Sequence, residues 1–103
     1  MLLPASVLPE ICYLLGTRVG PVAEARFVRS LADGEFEVEP FDDADVRRAA
    51  DLMAAYGTLP LGFVDATIVA LAERLGVTTL LTTDRRHFTV VRPRHADGFT
   101  LAP

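Results

Sequence analysis

The chain has no lysine, no tryptophan, a single cysteine and no long unbroken apolar run. Each shortage closes off a class of protein. One cysteine, Cys12, cannot build a disulfide framework or a cysteine-rich zinc site. The longest stretch without a charge, Leu52–Val64, is interrupted by Gly57, Pro60 and Gly62. A membrane helix needs about 18–20 apolar residues without such breaks. The first residues, Met1–Ala5, lack the basic segment of a secretory signal, and Glu10 follows early. No G-x-G-x-x-G or P-loop pattern is present, which leaves a flavodoxin-like binding domain as a weak reading. The expectation is a soluble cytoplasmic protein.

What is there points to a folded domain. The 103 residues are 50% hydrophobic and 23% charged, a balance that disordered chains do not have. This length supports one hydrophobic core, burying about 60–65% of the unfolded surface. The formal net charge of −4 argues against a basic nucleic-acid coat protein, but the charges are segregated. Acids crowd the segment from Asp33 to Asp51. Arg85, Arg86, Arg92 and Arg94, with His87 and His95, occupy an acid-free stretch near the end. Those arginines are either a surface for an anionic backbone or a solvated face that pairs with the acidic segment. His87 and His95 do not have zinc-ligand spacing.

Hydrophobic periodicity predicts alternating strands and helices. Met1–Pro4 reads as a strand end. Ser6 is a candidate N-cap for a helix over Val7–Gly16, with Pro9 tolerated in the first turn. Pro21–Ala32 has helical spacing and Gly34 to stop it. Phe36–Val38 reads as a short strand. Asp42 or Asp43 can cap a helix reaching Tyr56, with Val46, Ala49, Ala50 and Met53 inward and Arg47 and Arg48 outward. Phe63–Leu75 is apolar nearly all round and is expected to be central, with Gly76 ending it. Val77–Thr82 reads as a strand buried on both faces, followed by a turn through His87 and candidate strands at Phe88–Val91 and Phe99–Leu101. Cys12, Phe27, Phe63 and Phe88 read as core residues. The alternation gives an α/β fold with a mostly parallel sheet.

Ligands of such sheets bind beyond the carboxyl ends of the strands. Three acids belong there. Glu10 is the one charge in an apolar first helix, Asp65 opens the most hydrophobic helix, and Asp84 ends the most hydrophobic strand. An ionised carboxylate in apolar surroundings is costly unless paired or bound to a cation. Three together would suit Mg²⁺ or Mn²⁺, which prefer oxygen ligands. Singly, Glu10 and Asp65 are equally well explained by the helix dipole, and Asp84 by capping of the turn that follows it.

The segments Pro4–Leu15 around Glu10, Leu59–Ala72 around Asp65 and Leu80–Phe88 around Asp84 closely resemble the PIN-domain family. Within it they look most like VapC-type toxins of toxin–antitoxin pairs. The resemblance extends to the closing Gly98–Leu101. It implies a PIN-like three-layer α/β sandwich, with residues 1–103 as a single partial domain. It also implies a metal-dependent endoribonuclease that cuts tRNA or rRNA, is neutralised by an antitoxin and forms a homodimer. Glu10, Asp65 and Asp84 match three of the family's four acidic positions, and Thr83 matches its usual Thr/Ser. On that basis Asp65 is expected to ligate the metal directly. Glu10 would ligate it or position the attacking water, and Asp84 would act through bound water. Arg85, Arg86, Arg92 and Arg94 are the expected RNA contacts.

Family members also carry an earlier strand ending in Asp-Thr or Asp-Ser, and this chain has no counterpart. The alternative expectation is therefore a catalytically impaired remnant that serves as a dimerisation or antitoxin-binding module. Its exposed sheet edges would invite pairing with another chain.

Overall fold

The computed structural model describes residues 2–59, 61–81, 88 and 90–102. The fold is α/β, with helices connecting short parallel strands. It divides into two compact units, Met1–Phe41 and Asp42–Pro103.

In the first unit, β1 (Leu2–Pro4) pairs in parallel with β2 (Glu37–Glu39), Leu3 lying opposite Val38. The crossover between them contains a 3₁₀ turn at Ala5–Val7 and two helices, α1 (Leu8–Arg18) and α2 (Pro21–Ala32). Ser6 does not cap α1. It sits inside the 3₁₀ turn, and Val7 takes the cap position without a side-chain bond. Gly16 does not stop α1 either. The helix runs on to Arg18, and the Thr17 hydroxyl donates to the Tyr13 carbonyl in its last turn at 2.8 Å. Gly20, with φ of 138°, makes the corner a side chain would disfavour, and Pro21 then starts α2 where its missing N–H does no harm. Phe27 packs tilted on Phe36, with ring centroids 5.7 Å apart, joining α2 to the approach of β2. Cys12 is half-buried rather than fully enclosed.

The second unit holds the hydrophobic core. Its helices α3 (Asp43–Ala55) and α4 (Phe63–Leu75) pack together and precede β3 (Thr79–Leu81). A later strand, β4 (Thr100–Ala102), pairs in parallel with β3, Leu80 opposite Leu101. Ala49 and Leu52 of α3 meet Leu61, Ala66, Val69 and Ala72 around α4, with Leu80, Phe88 and Val91 completing the cluster. Phe88 stands edge-on to Phe99. Burial of Ala66, Thr67, Val69, Ala70, Leu71 and Ala72 makes α4 the central helix its composition predicts. The Thr67 hydroxyl is satisfied inside the helix by donating to the Val64 carbonyl at 2.7 Å. Gly76 caps α4 in the left-handed conformation, φ 71°, and turns the chain toward β3.

Several finer expectations change. Phe63, the first residue of α4, is 45% exposed and is not a core residue. Thr78 and Thr79 are exposed while Leu80 is buried, so β3 is not buried on both faces. Phe88 and Val90 lie in turns, not in a strand, although Phe88 and Val91 are buried. The turn expected through His87 lies outside the described residues. On α3 the inward face is Asp45, Ala49 and Leu52, while Val46, Ala50 and Met53 are exposed.

This distribution of burial has a direct test by urea unfolding. Leu52, 1% exposed, sits in the core, and Leu52→Ala is expected to cost about 2–5 kcal/mol. Val28, 48% exposed on α2, is expected to change stability by less than about 0.5 kcal/mol when replaced by Ala.

Candidate functional site

Two of the three acids singled out by the sequence occupy the same local position. Glu10 is the third residue of α1 and Asp65 the third residue of α4. Both are therefore first-turn residues of their helices. Their surroundings differ. Glu10 is exposed, whereas Asp65 is half-buried between Val64 and the fully buried Ala66. Each belongs to a different unit. Asp84, Thr83, Arg85 and Arg86 lie outside the described residues. Among the described residues, no group of three His, Cys, Asp or Glu side chains could hold a metal ion. In donor chemistry, the Glu10 and Asp65 carboxylates suit a hard divalent cation.

Arg92 and Arg94 are described, and they sit in a segment fixed to the second unit. Val91 and Pro93 are buried, while Arg92 and Arg94 between and beyond them are exposed. The backbone N–H of Arg92 donates to the Tyr56 hydroxyl at 2.9 Å. The backbone N–H of Arg94 donates to Glu73 Oε2 at 2.7 Å. His95 Nε2 donates to the Val77 carbonyl at 2.7 Å, and its ring stands against Phe99. A carbonyl only accepts, so Nε2 carries the proton. The segment is thereby tied to the C-cap of α3, to α4 and to the α4–β3 turn.

Glu73 is also half of an ion pair that the sequence reading missed. Arg48, expected to point outward, forks onto it with Nε–Oε1 at 2.8 Å and Nη2–Oε2 at 3.0 Å. Beside it Arg74 grips Asp45, with Nε 3.1 Å from both carboxylate oxygens. Asp45 in turn closes a capping box. Its Oδ2 accepts from the Asp42 N–H at 3.0 Å, and its own N–H donates to Asp42 Oδ1 at 2.9 Å. That last bond holds the Asp42 carboxyl below its ordinary range. The available signal was the Asp42-x-x-Asp45 pattern together with consecutive opposite charges, Glu73 and Arg74, ending an apolar helix.

Burial alone would push the Glu73 carboxyl up. The Arg48 fork, the Arg94 N–H and both guanidinium charges outweigh burial and hold it below its ordinary value of 4.5. A carboxyl lowered by folding stabilises the native state above its unfolded value, and that contribution fades as pH falls through the folded value. Stability is therefore expected to decline below about pH 4.5 as Glu73 takes up its proton. Glu73→Gln is expected to be less stable at pH 7 and to lose less on acidification. Urea midpoints across pH 3–7 check both.

Comparison with known proteins supplies the remaining context. The sequence profile described as PIN domain matches residues 1–92. The chain is 40% identical over 97 residues to a protein of Mycobacterium tuberculosis (strain ATCC 25618 / H37Rv) named Ribonuclease VapC26. The aligned region covers 94% of this chain and 72% of that relative.

Proposed function

The chain belongs to the PIN-domain family, and from that premise we propose that it is an endoribonuclease, the VapC-type toxin of a toxin–antitoxin pair. The observation that carries this reading is the identity to a ribonuclease along nearly the whole chain. The half-buried carboxylate at the start of the central helix supports it.

In this proposal Asp65, Glu10 and Asp84 are the catalytic carboxylates and hold Mg²⁺ or Mn²⁺, with Thr83 supporting Asp84. A divalent cation there supplies a Lewis acid for hydrolysis of an RNA phosphodiester. The residues do the rest. Asp65, fixed by the buried turn of α4 that follows it, is the rigid donor. Glu10, exposed on α1, orients the attacking water or adds a second donor. Arg85, Arg86, Arg92 and Arg94 contact the RNA backbone, positioning the strand without reading its bases. The substrate is of the tRNA or rRNA class, and the partner is a cognate antitoxin. The active form is a cytoplasmic homodimer. Among the described residues no helix is long and apolar enough to cross a membrane.

The test is cleavage of total tRNA and of rRNA by the purified chain with Mg²⁺ or Mn²⁺, beside an EDTA control. Metal-dependent cutting is expected. Asp65→Asn should reduce it by more than the roughly 10–100-fold that loss of an outer-shell partner costs, with the urea midpoint close to wild type. A folded wild-type chain that cuts no RNA under any of these conditions would replace the enzyme reading with that of a dimerisation or antitoxin-binding module.

A further inference from the structure

The proposed RNA contacts have so far been assigned by charge alone, and the structure adds how two of them are held. Along Val91–Arg94, buried and exposed residues alternate up to the turn that begins at Arg94. Arg92 and Arg94 occupy the outer face while Val91 and Pro93 fill the inner one.

The backbone of this segment is fixed on both arginines. Each donates its own N–H to a side chain of the helical pair, Arg92 to Tyr56 and Arg94 to Glu73. Neither acceptor is loosely placed. Tyr56 packs against the core, and the Glu73 carboxylate, 9% exposed, is already gripped by Arg48. The ring of His95 secures the next residue to Val77. Beyond the turn, Arg92 Nη1 lies over Gly98, where an added Cβ would be 3.5 Å away. A flexible arginine pays ordering entropy when it binds a phosphate, and fixing its backbone beforehand reduces that loss.

We propose that Val91–His95 is a preorganised strip for consecutive phosphates of a single strand, with Tyr56 and Glu73 as its positioning residues. The proposal rests on the ribonuclease reading for its ligand class. It goes beyond that reading by assigning roles to two residues that neither touch RNA nor belong to the carboxylate set.

The experiment is anisotropy of a labelled 12-nucleotide oligouridylate with the full chain in EDTA, titrated with KCl from 50 to 200 mM. Removing one phosphate contact from a single strand lowers the log–log salt slope by about 0.7, which is about a fivefold loss of affinity at 0.1 M salt. Arg92→Gln and Arg94→Gln are each expected to show that loss. Arg47→Gln removes an equal charge from the exposed side of α3 and should stay within about twofold of wild type. Tyr56→Phe keeps every charge and the ring, and is expected to weaken binding by about two- to tenfold through lost preorganisation. In the cleavage assay that variant should raise KM and leave kcat unchanged.

Equal losses for Arg47→Gln and the two strip variants overturn the proposal. A Tyr56→Phe variant whose urea midpoint falls while its affinity and KM do not move overturns the positioning role. No binding by the wild type at 50 mM KCl overturns the strip outright. Metal-dependent cleavage that Asp65→Asn abolishes, combined with unchanged binding in the strip variants, overturns the strip alone and leaves the ribonuclease reading standing.

Discussion

The Asp45 carboxylate is the constraint around which the second unit is arranged. It is buried, with 3% of the residue exposed, and an ionised group in that position is tolerated only when its oxygens are occupied. One oxygen closes the first turn of α3 and both meet the Arg74 guanidinium near the end of α4. The start of one helix is thereby locked to the finish of the other. One turn further along α3, Arg48 repeats the link on Glu73, the neighbour of Arg74. The two pairs cross acid to base and base to acid, so a slip of one helix along the other would bring like charges together. That register is what lets Ala49 and Leu52 join Ala66, Val69 and Ala72 in one core.

The same lock connects the core to the surface. Glu73 is at once an ion-pair partner inside the helical pair and the acceptor for the Arg94 backbone outside it. Tyr56 does the equivalent at the C-cap of α3, its ring against the core and its hydroxyl on Arg92. A chain segment without regular secondary structure is thus held by side chains rather than by a ladder. Its order is borrowed from helices whose own spacing is set by charge.

The elements that could be read from the sequence were those with strong local signals. Pro21–Ala32 and Phe63–Leu75 have both ends marked by Pro or Gly, and they run where the pattern places them. The family resemblance, carried by the residues around Glu10, Asp65 and Asp84, agrees with the PIN-domain match. The inward face of α3 departs from its apolar pattern because two of its charged residues have partners on α4. Val46 and Met53 look like core residues, yet Asp45 and Arg48 face inward, since each has an opposite charge waiting on α4. That pairing is between residues far apart in sequence and has no periodicity to betray it. Ser6 failed as a cap because a 3₁₀ turn took the place of the first helical turn. Of the site, the first-turn positions of Glu10 and Asp65 were legible. The anchoring by Tyr56 and Glu73 was not, because it uses the backbone N–H of Arg92 and Arg94, a group that every non-proline residue carries and that leaves no mark in the sequence.

The contrast in burial between the two units also bears on how the sequence can drift. Helices α1 and α2 contain no buried residue, while α4 alone contributes six. Substitutions at exposed positions usually move stability little, whereas changes at packed ones are purged by their effect on folding. The surfaces of α1 and α2 can therefore accept substitutions that the α4 interior does not. A surface that can change without unfolding the protein is where a new binding specificity costs folding least.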